Sequence, residues 1–398
     1  MSHNLPTIDS QYLIDKMMKM LSIPSPTGFT DSVVCYVGEC LEELGVDYTL
    51  SRRGTLCATL HGEVAGPQRA LVTHLDTIGA MVREIKPNGR IAITPIGHWS
   101  SRFAEGGRVS LFGEHAQYRG TVLPLMAAGH AFNEEIDTQP VSWEQVEVRL
   151  DFPVSSAEDV RAAGLEVGDY VAFDPNPEIT DTGFIISRHL DNKAGAAALL
   201  ASLEALQRQN LRPRLTTQIL FTVSEEVGSG AGHALSDDIT EFVGIDIGPV
   251  ASGQNARETG VTVAMKDSSG PFDYHLSHHL IELCRQHDIP WQRDVFRFYY
   301  SDAVSAVQAG HDIRPALITF GTDATHGYER THIHALESCS RLMSAYLMSD
   351  LALKNDRKAD IPLRDFAAAI PEPEPAGMPE ALNETLLRQQ GVKNRLGD

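Results

Sequence analysis

Short apolar segments that end in acidic or histidine residues recur along the chain, and they alternate with segments of helical periodicity. Segments with the length and composition of buried strands are found at 70–73, 218–223, 242–245 and 316–320. Helical periodicity is clearest at 194–209 and 278–287. Strands that alternate with helices predict an α/β fold, in which a mixed, mostly parallel sheet is sandwiched by helices.

The regions on either side of these strands predict how the chain is organised. Apolar residues recur at helical spacing between Leu13 and Leu21 and again between Val33 and Leu44, which predicts two helices before the first strand. Residues 85–178 instead contain short alternating segments separated by Gly, Pro and Asn, a pattern typical of a small β-rich unit. We therefore expect one domain formed by 1–80 and 177–360, an inserted β-rich domain at 81–176, and a Pro/Glu-rich C-terminal tail at 361–398. The alternative is that residues 81–176 are not a separate domain but additional structure at the edge of a single domain.

The charge balance of the 398 residues excludes some classes of partner. Acidic residues outnumber basic ones by 53 to 33, and the resulting net charge of -20 disfavours nucleic acids and anionic membrane surfaces. No secretory signal and no apolar run of membrane-spanning length is visible. The 5 cysteines include no C-x-x-C pair, which argues against a disulfide framework or a thiolate zinc site and fits a reducing compartment. We expect a cytoplasmic protein.

The polar residues that follow the apolar segments are the candidates for chemistry. They are His74, Asp76, Glu225, Glu226, Asp246, Asp323 and His326, and they are joined by Asp191, which opens a helix at the ISRHLDNKAG segment. Ligands of open α/β sheets bind at the carboxyl ends of the strands, so several of these side chains are expected to converge on one crevice. Carboxylates packed together repel one another unless cations lie among them, which predicts a pair of divalent metal ions. Nitrogen and oxygen ligands without thiolates suit zinc, with cobalt or manganese as alternatives.

A paired metal site also predicts the type of reaction. Two ions that share a carboxylate activate water and polarise a carbonyl group, as in aminopeptidases and phosphatases. An unligated carboxylate nearby can then take the proton of the water and transfer it to the leaving amine. The neighbours Glu225 and Glu226 can divide these roles, because adjacent residues at a strand end point in different directions.

Five motifs, in order and in spacing, resemble those of metallopeptidase family forty-two, the glutamyl or tetrahedral aminopeptidase group. They are THLDTIG, RHLDNKAG, FTVSEEVGSGA, GIDIG and ATHGYERTH. The resemblance extends from about residue 10 to about residue 350. It implies a zinc-exopeptidase-like fold, a dinuclear metal site, and a β-rich insert that mediates dimerisation.

The resemblance also implies roles for individual residues. It implies that His74 and Asp246 bind the first metal ion, that Glu226 and His326 bind the second, and that Asp191 bridges the two. It also implies that Glu225 is the general base and that Asp76 orients the site. The chain has two His-Leu-Asp triplets, at 74–76 and 189–191. By the same resemblance the histidine is the ligand in the first triplet and the aspartate in the second, which makes His189 a neighbour of the site.

Other motifs favour structural roles. Gly228, Gly230 and Gly232 give a weak dinucleotide signal, but two glutamates precede them, so a tight turn is the better interpretation. The set His275, His278 and His279 has helical ligand spacing without an accompanying carboxylate, which favours a polar helix face. The sequence leaves the roles of Asp302 and Asp323 open, and a helix N-cap explains Asp302 equally well.

We therefore expect a dinuclear metal-dependent aminopeptidase that acts on peptides or small amides and forms homo-oligomers built from dimers, up to a dodecamer. The segments SPTGFTD, PIGHWSSRFAEGGRV, FNEEIDTQPV and SGPFDYH further resemble the subgroup associated with the osmoprotectant N-acetylglutaminylglutamine amide. Two alternatives stay open at this point. One is a metal-dependent amidohydrolase of a small N-acylated dipeptide, and the other is a non-catalytic metal-binding scaffold.

Overall fold

The computed structural model describes residues 5–353, so the predicted tail at 361–398 lies outside the described residues. The helices within this range are α1 Ser10–Leu21, α2 Asp31–Glu43, α3 Gly129–Phe132, α4 Glu135–Thr138, α5 Ala157–Ala162, α6 Leu190–Arg208, α7 Tyr274–Gln286, α8 Asp302–Gln308 and α9 Ile333–Met348. The first nine strands are β1 Tyr48–Leu50, β2 Leu56–Leu60, β3 Val64–His74, β4 Gly79–Ile85, β5 Ile91–Ile96, β6 Arg108–Phe112, β7 Gln117–Pro124, β8 Val146–Leu150 and β9 Tyr170–Phe173. The remaining strands are β10 Glu178–Ile179, β11 Phe184–Ser187, β12 Leu215–Thr222, β13 Ile239–Val250, β14 Val261–Lys266, β15 Trp291–Val295, β16 Arg314–Asp323 and β17 Glu329–His332.

The large sheet is mixed, and parallel strands form its centre. The strand order is β1-β2-β12-β3-β13-β16-β17-β11-β10, and β14 pairs with both β16 and β15. The strands β12, β3, β13 and β16 run parallel to one another, whereas β2 and β17 flank this centre with antiparallel pairing. The four predicted strands are these central strands, and the predicted α/β class is confirmed.

The third predicted strand is longer than its apolar segment. The sequence indicates a strand that ends before Asp246, but β13 continues to Val250 because its backbone stays paired with β16 through Val250 and Asp323. Strand bounds are set by backbone hydrogen bonds, which a change from apolar to polar side chains does not interrupt. Asp246 therefore lies within a strand rather than after one.

Both faces of the sheet are covered, and this explains the apolar composition of its central strands. In β3, Leu71 belongs to the cluster packed by α1, α2, α6, α7 and α9, whereas Ala70 and Val72 belong to the cluster packed by α8 on the opposite face. Successive side chains of a strand point to opposite faces, so a strand covered on both sides must be apolar throughout. The alanine-rich helix α6 is buried along almost its whole length.

The six strands from β4 to β9 close into a separate small barrel in the order β4-β5-β8-β7-β6-β9. The barrel has its own apolar core, in which the Trp99 ring packs edge-on against Trp143 and Phe173 at 4.7 and 4.9 Å. Five of these strands, β5 to β9, lie within residues 85–178, where the sequence indicates a β-rich unit, whereas β4 begins earlier, at Gly79. The division of the chain into domains at 81 and 176 stays a prediction. Within the described residues, no helix has the length and apolarity needed to cross a membrane.

Candidate metal centre

Six of the predicted site residues meet at the carboxyl edge of the central strands. His74 is the last residue of β3, Asp246 lies in β13, and Asp191 lies in the first turn of α6. Glu225 and Glu226 follow β12, and His326 lies in the connection from β16 to β17. Parallel neighbours place their carboxyl ends side by side, which is why residues separated by up to about 250 positions can share one site.

His74 and Asp191 form the closest pair in this cluster. The Nε2 atom of His74 lies 3.1 Å from Oδ1 of Asp191, 3.7 Å from Oε2 of Glu225 and 3.8 Å from Oδ1 of Asp246. The Nδ1 atom of His74 lies 2.9 Å from the carbonyl oxygen of Asp76, which can only accept a hydrogen bond. The proton on Nδ1 leaves Nε2 of the neutral ring with a lone pair that faces the carboxylates.

His326 approaches the other oxygen of Asp191. Its Nε2 atom lies 3.5 Å from Oδ2 of Asp191 and 3.3 Å from Oε2 of Glu226. Its Nδ1 atom donates to the carbonyl oxygen of His98, at 2.9 Å, in the connection that follows barrel strand β5. The barrel therefore contributes a backbone contact to the site. The carboxylate of Asp191 lies between two imidazoles that are each oriented by a backbone carbonyl.

The unpaired atoms of the cluster fit a divalent cation. His74 Nε2 and Asp191 Oδ1 are buried and make no hydrogen bond of normal geometry. Ligand atoms of His74, Glu225 and Asp246 lie within 4.8 Å of one another, and so do those of His74, Asp191 and Glu226. Buried polar atoms normally have partners, and a metal supplies a partner to several of them at once. The donor set of imidazole nitrogens and carboxylate oxygens suits zinc, cobalt or manganese.

Burial shifts the pKa values of the acids in the cluster. Burial raises the pKa of Glu225 well above its ordinary value, and it also raises the pKa values of Glu226 and Asp246. Burial alone would lower the pKa of His74, but the nearby carboxylates of Asp191, Asp246 and Asp76 outweigh it and raise that pKa well above its usual value. The carboxylates outnumber the two imidazoles, and this excess of negative charge favours the binding of cations.

Asp76 holds the segment that carries the two glutamates. Its Oδ1 accepts the backbone N–H of Glu225 at 3.2 Å and its Oδ2 accepts that of Glu226 at 3.3 Å. The hydroxyl of Thr27 also donates to Oδ2, at 2.6 Å. The structure thus gives Asp76 contacts to the main chain of the glutamates, while its predicted catalytic role stays a prediction.

The glycines after the glutamates form a turn that packs on a buried aspartate. Asp302 accepts hydrogen bonds from the backbone N–H of Ala231 at 2.8 Å and from the Thr222 hydroxyl at 2.5 Å. A Cβ atom on Gly230 would lie 1.9 Å from Oδ1 of Asp302. Burial raises the pKa of Asp302 to about 6. The glycine at position 230 therefore allows the turn to pack closely against Asp302, in agreement with the interpretation of this motif as a tight turn.

The sequence does not indicate two further residues near the site. Glu329, the first residue of β17, accepts the backbone N–H groups of Asp191 and His326 at 3.1 Å each. Burial raises the pKa of Glu329 to about 8. The other residue is Tyr299, which lies between β15 and α8; burial and the carboxylates of Asp246, Glu225 and Asp191 raise its pKa well above the ordinary value, and its hydroxyl makes no hydrogen bond to a described residue. Glu329 is part of the quoted ATHGYERTH motif, but its spacing does not show that it contacts Asp191.

The remaining polar candidates are not part of the cluster. His278 stacks on Tyr274 with ring centroids 4.0 Å apart, and His279 lies 3.0 Å from the Ser349 hydroxyl. Asp323 is exposed at the end of β16. The Nε2 atom of His189 lies 3.1 Å from the carbonyl oxygen of Phe173 in the barrel. His189 lines, with Lys193, a cavity of about 510 Å³ between the barrel and the α1–α2 connection.

Comparisons with known proteins give a consistent result. The model of the M42 glutamyl aminopeptidase family matches residues 54–342. The putative aminopeptidase YhfE of Bacillus subtilis strain 168 is 37% identical over 339 residues, which cover 85% of this chain and 98% of the relative. The aminopeptidase APDkam598 of the archaeon Desulfurococcus kamchatkensis superposes with a TM-score of 0.77 at 20% identity, over 85% of this chain and 95% of that chain. The TET1 peptidase of Pyrococcus horikoshii, which assembles into a tetrahedron or a large octahedral shell, gives a TM-score of 0.74 at 20% identity, over 84% of this chain and 99% of that chain.

Proposed function

The chain belongs to the M42 glutamyl aminopeptidase family and is a metal-dependent aminopeptidase, and we propose that it removes N-terminal residues from peptides with two divalent ions held at the candidate centre. The observation that carries the proposal is the position of Asp191. One of its carboxylate oxygens faces His74 at 3.1 Å and the other faces His326 at 3.5 Å. A carboxylate with this arrangement suits the bridge between two ions.

In this proposal each ion has its own imidazole and its own further carboxylate. His74 and Asp246 would hold one ion, Glu226 and His326 would hold the other, and Asp191 would be shared. Divalent ions at such a site lower the pKa of water and polarise the carbonyl group of the substrate. Zinc fits the donor set, and cobalt and manganese fit it as well.

Glu225 is the proposed general base. Its Oε2 lies 3.7 Å from His74 Nε2, close to the ligands, and a carboxylate at this position can carry a proton from water to the leaving group. We propose that Glu225 takes a proton from the attacking water and transfers it to the leaving nitrogen. Asp76 fixes the position of this base through its hydrogen bond to the Glu225 backbone.

The charge of the site favours a substrate with a free amino terminus. The cluster combines five carboxylates, those of Asp76, Asp191, Glu225, Glu226 and Asp246, with two imidazoles. A protonated amino group gains from residual negative charge of this kind, whereas an N-acylated terminus has no charge to be attracted. This consideration favours an aminopeptidase over an amidohydrolase of N-acylated dipeptides.

Replacing the base without removing a ligand tests the proposal. Glu225→Gln is expected to retain the metal content of the wild type and to lower kcat about 10²- to 10⁴-fold. Its matched control is Glu226→Gln at the next position, which is expected to lower the metal content. Metal content is measured by elemental analysis and kcat on an aminoacyl nitroanilide. Wild-type turnover in Glu225→Gln would remove the base assignment.

Substrate class is tested with the wild-type protein. Metal-free protein is reloaded with zinc, cobalt or manganese and assayed on a panel of aminoacyl nitroanilides and on N-acylated dipeptide amides. Hydrolysis of the free-amine substrates alone supports the proposal. Preferred hydrolysis of the N-acylated amides would instead support the link to osmoprotectant dipeptides, which rests on four sequence segments. A metal-loaded protein that hydrolyses neither class would be a metal-binding scaffold.

We further propose that the barrel mediates subunit contacts in a homo-oligomer. Large apolar side chains are exposed on the barrel and its connections, including Phe103, Phe132, Val141 and Val167. The TET1 peptidase of Pyrococcus horikoshii forms large assemblies, which is consistent with this proposal. Light scattering after size exclusion measures the mass, and Val167→Asp is expected to shift it toward smaller species. A monomeric wild-type protein would contradict the proposal.

A further inference from the structure

The position of Glu329 is fixed by the large sheet. Its backbone pairs antiparallel with β11, opposite Ser187, and β11 leads directly into the first turn of α6, which carries Asp191. The residue is buried, with 1% of its surface exposed. A buried side chain on a paired strand has little freedom to move, so the sheet determines where the carboxylate of Glu329 lies.

Both carboxylate oxygens of Glu329 accept hydrogen bonds from the segments that carry candidate ligands. Its Oε2 accepts the backbone N–H of Asp191, and its Oε1 accepts that of His326, at 3.1 Å each. The hydroxyl of Thr325 lies 3.2 Å from Oε1 of Glu329 and 3.2 Å from Oδ2 of Asp191, so its single proton can be donated to either oxygen. The carboxylate thereby joins the first turn of α6 to the connection between β16 and β17.

His326 needs such support because its backbone lies in the left-handed region. Its φ is 62°, and that of Ala324 in the same turn is 53°. Residues with a Cβ atom rarely adopt these angles, which persist only where the surrounding structure fixes them. Glu329 holds the backbone N–H of His326, while the carbonyl oxygen of His98 accepts the proton on Nδ1 of the ring. One contact fixes the main chain of this ligand and the other fixes its ring.

We infer that Glu329 is a positioning residue of the metal centre, whose carboxylate holds the backbones of Asp191 and His326 so that their side chains can share an ion. The inference rests on the proposed metal centre. In the structure, Nε2 of His326 lies 3.5 Å from Oδ2 of Asp191. Both oxygens of Glu329 are already engaged by N–H groups, and among the described residues it belongs to neither group of ligand atoms that lie within 4.8 Å of one another. These contacts favour a supporting role over direct binding of an ion.

The test compares Glu329→Gln with Glu241→Gln in the full-length protein. Glutamine has the size of glutamate, but its amide nitrogen cannot accept a hydrogen bond, so at position 329 one of the two N–H groups loses its acceptor. Glu241 is the matched control, because it is also a buried glutamate of the large sheet that accepts a backbone N–H, that of Ala352 at 2.6 Å. Metal affinity is measured by competition with a chromophoric chelator. The visible absorption spectrum of the cobalt-loaded protein reports the geometry of the ligands.

We expect Glu329→Gln to lower the affinity for at least one of the two ions about 10- to 100-fold and to change the cobalt spectrum. Glu241→Gln is expected to leave affinity and spectrum at wild-type values, whatever its effect on the midpoint of urea unfolding. Wild-type affinity and spectrum in Glu329→Gln would overturn the inference, whatever happens to kcat. An equal loss of affinity in Glu241→Gln would also overturn it, because the effect would then follow from general destabilisation.

A second variant is measured in case Glu329→Gln does not fold. Glu329→Asp keeps a carboxylate at this position, but the shorter side chain cannot reach both N–H groups, so we expect a loss of affinity and a change of the cobalt spectrum here as well. If neither variant folds in the presence of metal, Glu329 serves the fold as a whole, and the inference is overturned.

These measurements do not depend on peptidase activity. If the wild-type protein binds the ions but hydrolyses no aminoacyl amide, the proposed function fails and the role of Glu329 is still tested. If the wild-type protein is active and Glu329→Gln binds metal as wild type does, only the role of Glu329 fails.

Discussion

Gly230 offers a sharp test of how the turn after β12 supports the site. We expect Gly230→Ala to destabilise the protein by about 3–5 kcal/mol, although its backbone angles, φ -60° and ψ -72°, suit alanine. At such a position the exchange of glycine for alanine would otherwise stabilise by about 0.4–1 kcal/mol. The expected loss is therefore due to the contact that the new methyl group would make.

The magnitude follows from that contact. The added Cβ would lie 1.9 Å from Oδ1 of Asp302, so either the turn or the carboxylate must move by roughly 1.5 Å to reach ordinary contact distance. Asp302 cannot move without losing hydrogen bonds from Ala231 and Thr222. Each bond to a charged group contributes about 1.5–3 kcal/mol, and overpacking adds about 1–3 kcal/mol. A shift of about 1 Å near Glu225 also costs about 10²-fold in kcat.

The test is a double-mutant cycle of Gly230→Ala and Asp302→Ala, in which each variant is measured by urea unfolding and by kcat on an aminoacyl nitroanilide. Asp302→Ala removes the atoms that the new Cβ would meet, so Gly230→Ala is expected to cost less than about 1 kcal/mol in that background. Gly129→Ala is the matched control, because a Cβ atom there meets nothing within 4 Å. The same cost for Gly230→Ala with and without Asp302 would refute the proposed clash.

Three further predictions concern pH, a buried network and metal removal. Burial lowers the pKa of His279 to about 4, so the neutral form is favoured in the folded state. The free energy of unfolding is therefore expected to fall by up to about 3 kcal/mol as the pH is lowered from 6.5 toward 4. In the variant His279→Gln, the free energy of unfolding is expected to depend less on pH in this range. Tyr346 donates to a carboxylate oxygen of buried Glu241 at 2.8 Å, so Tyr346→Phe is expected to lower the free energy of unfolding by about 1–3 kcal/mol in urea titrations, and an unchanged midpoint would contradict it. Removal of metal by a chelator is expected to abolish activity and to lower the unfolding temperature, and activity that survives complete removal would contradict the proposed function.

The sequence predicts the parts of the site that lie at the ends of apolar strands. His74 ends one central strand, and Glu225 and Glu226 come shortly after the end of another, where the change from apolar to polar residues is visible in the sequence itself. The fold class is predicted for the same reason, because buried strands and amphipathic helices are local patterns. The assignment of roles among these residues came from the family resemblance rather than from spacing.

Residues placed by long-range pairing were not predicted. Glu329 reaches the backbone of Asp191 because β17 pairs antiparallel with β11, which places Glu329 opposite Ser187. Nothing in the local pattern around Glu329 indicates this partner, since strand register is set by contacts between distant segments. Closure of the barrel through the pairs β4–β9 and β6–β9 is long-range in the same sense, so the sequence predicts β-rich structure there but not a barrel.

The backbone contacts of the ligands indicate that the fold, rather than the metal, sets the geometry of the centre. These contacts are His74 Nδ1 with Asp76 O, Glu226 Oε1 with Ile78 N, Asp246 Oδ1 with Ile247 N, and His326 Nδ1 with His98 O. A ligand that is already oriented by the main chain loses little conformational freedom when it binds an ion. In the metal-free protein, the repulsion among the buried carboxylates is then offset by the stability of the surrounding fold, whose large apolar cores are independent of the site. Metal-free protein should therefore keep the far-ultraviolet circular dichroism of the loaded protein at room temperature and differ from it in unfolding temperature and activity. A large loss of secondary structure on chelation would show instead that the ions hold the ligands in place.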